Sequence, residues 1–219
     1  MAPPETVLFD LDGTLIDSFE GLTRSYAHAL SALGRTPPPP EGLRDCIGPP
    51  IRRNFARLLG TDDPVLLEAA VAHFRERYSA VGWTECRLYD GVLAMVDAVR
   101  ERGARVYVAT AKPQTFTDRI LAHVGLATHV DGAFGPPLDG SMDDKRILLR
   151  HALATAGIDA RAAALVGDRD NDVRAALANG VLPVGITWGY GSREELVGSG
   201  AVLVLDTPAE VVAHLGMAR

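Results

Sequence analysis

Cysteine is nearly missing from this 219-residue chain. Cys46 and Cys86 alone cannot supply a disulfide framework or a four-thiolate zinc site. Extended apolar runs are missing as well. One stretch, Ala175 to Ser192, carries no charge over 18 residues, but Asn179, Pro183 and four glycines interrupt it. It reads as a helix end, a short strand and a loop, so no membrane span is expected. Nor does a basic segment followed by an apolar run open the chain, and no signal peptide is expected. Positive charge is in deficit: 22 Lys and Arg face 28 Asp and Glu, a net charge of −6 with no basic block. Such a chain binds polyanions poorly, which argues against a nucleic-acid partner. A soluble, cytoplasmic protein is expected.

Lysine is the scarcest charged type. Lys112 and Lys145 are the only two among the 22 basic residues. A general bias towards arginine explains the rest but not the two that remain. A lysine kept in such a chain suggests a place where a compact ammonium is wanted and a forked guanidinium does not fit. Both are candidate site residues.

What is present in ordinary amounts is globular: 47% hydrophobic and 23% charged residues. Thr6 to Phe9 is a short apolar run that ends abruptly in Asp10-Leu11-Asp12-Gly13-Thr14, a buried strand breaking into a turn. From Ser18 the period becomes helical, with Leu22, Tyr26, Leu30 and Leu33 on one face and Gly34 as the stop. Pro37 to Pro40 then predict a stiff extended connector, followed by helices around Ile51 to Leu59 and Pro64 to Tyr78. After Tyr89-Asp90-Gly91 helices and strands alternate. Helices are expected over Val92 to Arg102, Pro113 to Val124, Lys145 to Ala156 and Val173 to Asn179. Strands are expected at Arg105 to Ala109, near Val130, and at Ala163 to Val166, Val184 to Ile186 and Val202 to Leu205. The fold class is therefore α/β, a parallel sheet with helices on both faces, interrupted after its first strand by an all-helical block.

Asp10, Asp12, Thr110 and Asp168 all follow directly on expected strands. In an open parallel sheet ligands bind beyond the carboxyl ends of the strands, so these groups should share one crevice. With Asp172 they would crowd four carboxylates together, and these cannot all stay ionised without a counter-charge. A loose carboxylate cluster is the ligand set of a hard divalent cation such as Mg²⁺. One such cation and Lys145 set against the four acids leave one negative charge over. That count predicts one acid that is protonated or hydrogen-bonded and able to donate a proton.

Asp10-Leu11-Asp12-Gly13-Thr14-Leu15, Thr110 at a strand end, Lys145 opening a helix, and Gly167-Asp168-Arg169-Asp170-Asn171-Asp172 resemble, in order, the four motifs of the haloacid dehalogenase superfamily. The resemblance spans the chain and implies a Rossmann-like core over residues 1–17 and 88–219 with a small helical cap over 18–87. Ile47-Gly48-Pro49-Pro50, Leu88-Tyr89-Asp90-Gly91, Ala109 to Pro113 and Trp188 to Ser192 resemble its phosphoglycolate-phosphatase-like and 5′-nucleotidase-like branch. By that resemblance Asp10 is the nucleophile that becomes an aspartyl-phosphate, and Asp12 the general acid and base. Thr110 then hydrogen-bonds the phosphoryl group and Lys145 neutralises it. Asp168 would bind Mg²⁺ beside Asp10 and the backbone carbonyl of Asp12, with Asp172 supporting the metal's water. Dehalogenating members lack the second aspartate, so Asp12 favours phosphate chemistry on a small phosphorylated metabolite. Ala111 stands where relatives often carry asparagine, which leaves only its backbone for substrate contact. A phosphomutase of the same superfamily would share all four motifs and is the alternative.

Asp168, Asp170 and Asp172 also match the opening of a calcium loop, but Val173 and Asn179 stand where it needs glycine and glutamate. Asp170 and Asn171 read as residues capping the next helix. The six histidines show no ligand spacing. Arg44, Arg52 and Arg53 flank Gly48-Pro49-Pro50 in the helical block. They are either a solvated face or a recognition cluster for a second anionic group on the substrate.

Overall fold

The computed structural model describes residues 3–215, which fall into two compact units. One holds the chain up to Asp17 and again from Leu88 onward; the other is Ser18–Arg87. Two short strands, β2 (Ile16–Asp17) and β3 (Arg87–Leu88), lie at the two crossings.

The first unit is built on a six-stranded sheet. Its strands are β1 (Thr6–Phe9), β4 (Arg105–Ala109), β5 (Gly132–Phe134), β6 (Ala163–Gly167), β7 (Leu182–Ile186) and β8 (Leu203–Leu205). They lie in the order β5-β4-β1-β6-β7-β8, and every neighbouring pair is parallel. Both β1 and β6 are buried along their whole length, as a parallel strand covered on both faces must be, which is why their sequences are continuous apolar runs rather than alternating ones. Phe9 is fully buried and contributes about 1.5–3 kcal/mol through the apolar surface it removes from water. The connections are helical: α4 (Val92–Glu101), α5 (Gln114–His123), α6 (Lys145–Ala156), α7 (Asp170–Ala178), α8 (Arg193–Ser199) and α9 (Pro208–Leu215).

The second unit packs α1 (Phe19–Ala32), α2 (Ile51–Leu59) and α3 (Pro64–Ala80) around an aromatic cluster. Tyr26 lies 5.2 Å from Phe55 and 4.8 Å from Phe74, ring centre to ring centre. Buried Asn54 donates to the carbonyls of Cys46 and Pro49 and to the Tyr26 hydroxyl, pinning the Gly48-Pro49-Pro50 turn to the helix that follows it.

Several boundaries differ from the sequence reading, each for a local reason. Pro40 does not extend the proline connector but opens a 3-10 segment, Pro40–Cys46, where its missing N–H costs nothing. The strand expected near Val130 lies at Gly132–Phe134, because Asp131 still spends its carboxylate on the Val106 N–H at 2.7 Å. Helix α7 begins at Asp170, so Asp170 and Asn171 sit in its first turn; the cap is Arg169, whose N–H donates to Asp172 at 3.1 Å. Helices α8 and α9 were not expected. Each nevertheless carries a local start signal: Ser192 accepts from the Glu195 N–H and Thr207 from the Glu210 N–H, hydroxyl and glutamate three apart.

Candidate active site

The register of the sheet sets the geometry. Phe9 is level with Val108 on one side and Val166 on the other, so Asp10 comes one residue beyond that line, and Thr110 and Asp168 two residues beyond it, all at the carboxyl ends of three adjacent strands. Chain order reverses across β1, with β4 on one flank and β6 on the other, and that reversal opens the crevice. Lys145 is the first residue of α6, whose cap is Asp144 accepting from the Arg146 N–H.

Four of the expected groups converge. Asp10, Asp168 and Asp172 each bring a carboxylate oxygen within 4.8 Å of the others, all three buried. The Lys145 ammonium donates to Asp10 at 2.6 Å and is paired with Asp172 as well. Asp12 is placed differently: the Lys112 ammonium lies 3.0 Å from its carboxylate. Both lysines of the chain are thus buried at this site, Lys112 against Asp12 of the first motif and Lys145 against Asp10 of the first and Asp172 of the fourth. The count made from the sequence omitted Lys112. With it, four acids, two ammonium groups and one divalent cation sum to neutrality, so a proton on one acid is called for only when an anionic phosphate adds its own negative charge.

Without that cation the balance falls short and the acids respond. Burial is the main force pushing the Asp168 carboxyl up to about 8, with Asp172 and Asp10 adding to it. Asp10 is raised to about 6, again by burial, although Lys145 pulls in the opposite direction. Burial alone would lower Lys145, but Asp10 and Asp172 outweigh it and hold the ammonium above its ordinary range.

Sequence reasoning missed the groups that hold Asp168. One of its carboxylate oxygens accepts from the Tyr190 N–H at 2.7 Å and the other faces the Thr14 hydroxyl at 3.4 Å. Trp188 reaches back to the Thr14 carbonyl at 3.0 Å, and the Tyr190 hydroxyl donates to Asp17 at 2.9 Å. Two glycines make room. A side chain on Gly13, whose φ is +85°, would meet Asp168 at 2.2 Å, and one on Gly167 would meet Asp172 at 2.2 Å. The uncharged Trp188-Gly189-Tyr190-Gly191 loop carried the signal, since a site on a loop needs close backbone approach.

Ala111 and the three arginines remain. Ala111 is half-buried in the loop between β4 and α5. Arg44, Arg52 and Arg53 belong to the helical unit. Arg44 and Arg53 are exposed there, whereas Arg52 forks onto Glu68 at 2.6 and 3.1 Å.

Among the described residues no helix is long and apolar enough to cross a membrane. Residues 7–186 match the family model described as haloacid dehalogenase-like hydrolase. The chain is 40% identical over 190 residues to a 5′-nucleotidase of Pseudomonas aeruginosa, covering 87% of this chain and 86% of that protein. It is 32% identical over 221 residues to a phosphoglycolate phosphatase of Rhodospirillum rubrum, covering 97% and 91%. It is also 37% identical over 191 residues to the tyrosine-protein kinase PtkA of Mycobacterium tuberculosis, spanning 87% of this chain and 65% of that one. A crystal structure of a predicted phosphatase from Clostridium acetobutylicum superposes with a TM-score of 0.92 at 34% identity, covering 96% and 97%.

Proposed function

The chain belongs to the haloacid dehalogenase-like hydrolases and is a phosphoric monoester hydrolase, and on that premise we propose that it is a Mg²⁺-dependent phosphatase working on a small phosphomonoester through an aspartyl-phosphate on Asp10. The observation that carries this reading is the Lys145 ammonium held between Asp10 and Asp172 where Asp168 also converges. Phosphoryl transfer is mostly positioning and charge stabilisation, and these four side chains are arranged for both.

The converging donors are all carboxylate oxygens in a buried place, which suits a hard divalent cation. Asp10, Asp168 and the backbone carbonyl of Asp12 would hold it, and Asp172 would hold its water. Bound there, the cation supplies positive charge that screens an incoming phosphate from the carboxylates.

In the first step a carboxylate oxygen of Asp10 attacks phosphorus, the bond from phosphorus to the leaving oxygen breaks, and Asp12 gives that oxygen a proton. In the second, water attacks the phosphorus on Asp10, Asp12 takes the water's proton, and phosphate departs with the Asp10 carboxylate restored. The Thr110 oxygen accepts from the Lys112 N–H at 3.2 Å, which leaves its proton to donate to a phosphoryl oxygen. Lys145 neutralises the transferring group. The helical unit would act as a cap that selects the substrate. Arg44, Arg52 or Arg53 would meet a carboxylate or second phosphate on the substrate, Arg52 on leaving Glu68. The relatives make 2-phosphoglycolate and nucleoside monophosphates the first substrates to screen.

Asp10→Asn keeps the side-chain shape and removes the nucleophile. It is expected to abolish phosphate release from these substrates and from p-nitrophenyl phosphate, with an unchanged circular dichroism spectrum. Near-wild-type turnover in that variant would remove Asp10 from the chemistry. The phosphomutase alternative is separated by supplying a hexose 1-phosphate and assaying free phosphate against 6-phosphate product.

A further inference from the structure

Lys112 is buried at the site, yet none of the roles assigned above uses its side chain. It sits two residues beyond Thr110 in the loop from β4 to α5, with only 4% of its side chain exposed. Its backbone is fixed from three directions. The N–H donates to the Thr110 hydroxyl at 3.2 Å, the carbonyl accepts from the Thr117 hydroxyl at 3.1 Å, and Gly135 passes so close that a side chain there would meet that carbonyl at 2.3 Å. The side chain therefore extends from a rigid base to an ammonium 3.0 Å from Asp12.

Asp12 follows the strand end by three residues and sits in a tight turn, Gly13 donating to the Ile16 carbonyl at 2.9 Å. Its carboxylate is not one of the three that converge with Lys145, so Lys145 does not orient it. A proton-transfer group must be held within hydrogen-bond reach of its target, and rigid support of that group is where such sites commonly fail. A compact ammonium on a long stem supplies that support where a planar guanidinium would demand a second acceptor.

We propose that Lys112 is a positioning residue for Asp12, fixing the carboxylate that exchanges protons with the leaving group and with water. This rests on the phosphatase reading given above. It assigns both lysines of the chain a part in one reaction: Lys145 at the nucleophile, Lys112 at the proton-transfer group.

The test uses the full chain with Mg²⁺ and p-nitrophenyl phosphate, whose leaving group needs no proton, so that transfer to Asp10 and the later attack by water are read separately in a stopped-flow experiment. In Lys112→Met the steady-state rate is expected to fall by roughly tenfold to a hundredfold, part of the 10²–10⁴ that a general acid–base group supplies. The initial burst of nitrophenolate is expected to slow by less than about threefold, with phospho-enzyme accumulating on acid quench. Lys112→Gln, which keeps a donor, should fall between the two. The double variant Asp12→Asn/Lys112→Met should be no slower than Asp12→Asn, because Lys112 acts only through Asp12. That double variant also removes both buried charges together, so it stays informative if Lys112→Met alone folds poorly. Three results would overturn the proposal: equal slowing of burst and steady state, no slowing at all, or a further loss in the double variant. A wild-type protein that hydrolyses no phosphomonoester would instead defeat the phosphatase reading itself.

Discussion

The two units of this molecule handle charge in opposite ways. In the helical unit the ion pairs join arginine, or histidine, to glutamate near the surface. Glu85 takes a two-pronged contact from Arg77 at 2.8 and 2.9 Å and another from Arg24, and these hydrogen bonds hold its carboxyl below the usual range. At the active site the pairs join lysine to aspartate and are almost sealed from water. Long flexible side chains reach each other through solvent and lose little when parted. Short carboxylates on strand ends and turns cannot move to meet a partner, so the partner must come to them. A fork satisfied by one carboxylate suits the first case; a point charge shared between two suits the second.

That contrast is broken most sharply at Lys145. Lys145→Met would leave Asp10 and Asp172 buried without their shared cation. The cost should be about 3–5 kcal/mol in unfolding free energy, the usual penalty for removing one side of a buried pair. Phosphatase turnover should fall by about 10² or more as well. A variant as stable and active as the wild type would show that the pair has no net role.

The next effect concerns pH. Asp168 keeps its proton up to about 8 in the cation-free protein, against an ordinary value of 3.8. The folded state therefore binds that proton more tightly than the unfolded chain does. Its contribution to stability is present at low pH and is lost as pH climbs from near 4 to about 8. A cation needs the ionised form, so the rise in Tm produced by a fixed excess of Mg²⁺ should be larger at pH 8 than at pH 6. Apparent Mg²⁺ affinity should gain up to about tenfold per pH unit in between, for one proton released. Equal Tm shifts at both pH values would mean that Asp168 is already ionised.

The smallest effects belong to the helical unit and sharpen the comparison from the other side. Arg52→Ala should cost no more than about 1 kcal/mol, as exposed pairs do. Arg77→Ala, less exposed and facing Glu85 with two donors, should cost more, about 1.5–3 kcal/mol. Urea unfolding of both variants checks the order, and an Arg52 loss equal to that of Lys145→Met would erase the distinction drawn here.

The main lines of this arrangement were open to reading before any coordinates. Asp10, Thr110 and Asp168 announce themselves because a buried parallel strand is an unbroken apolar run, and a polar residue ending it can only lie at the sheet's edge. Lys145 and Lys112 were legible from rarity, and Asp172 from the resemblance of the segment Gly167 to Asp172 to a fourth motif. What could not be read was pairing across the chain. Lys112 and Asp12 are a hundred positions apart in sequence, and nothing local to either tells which carboxylate the ammonium meets. The backbone donor from Tyr190 was hidden for the same reason. The start of α7 was misjudged because Asp170 and Asn171 are good caps by type, whereas the capping contact runs between Arg169 and Asp172.

One consequence of the shared register of β1, β4 and β6 concerns where the chain tolerates a change of length. A single residue inserted in any of these three strands would push the group at its end forward by about 3.3 Å and turn it to the opposite face. Asp10, Thr110 or Asp168 would then leave the crevice while the hydrophobic pattern of its strand fell out of step with both neighbours. Between Pro137 and Lys145 the chain instead crosses an exposed-to-half-buried connection before α6 begins, and its cap at Asp144 is local. Added residues there loop outward and leave Lys145 where it is. Length is therefore rigidly conserved by physics in three short strands and free to drift in the segment that delivers the fourth group.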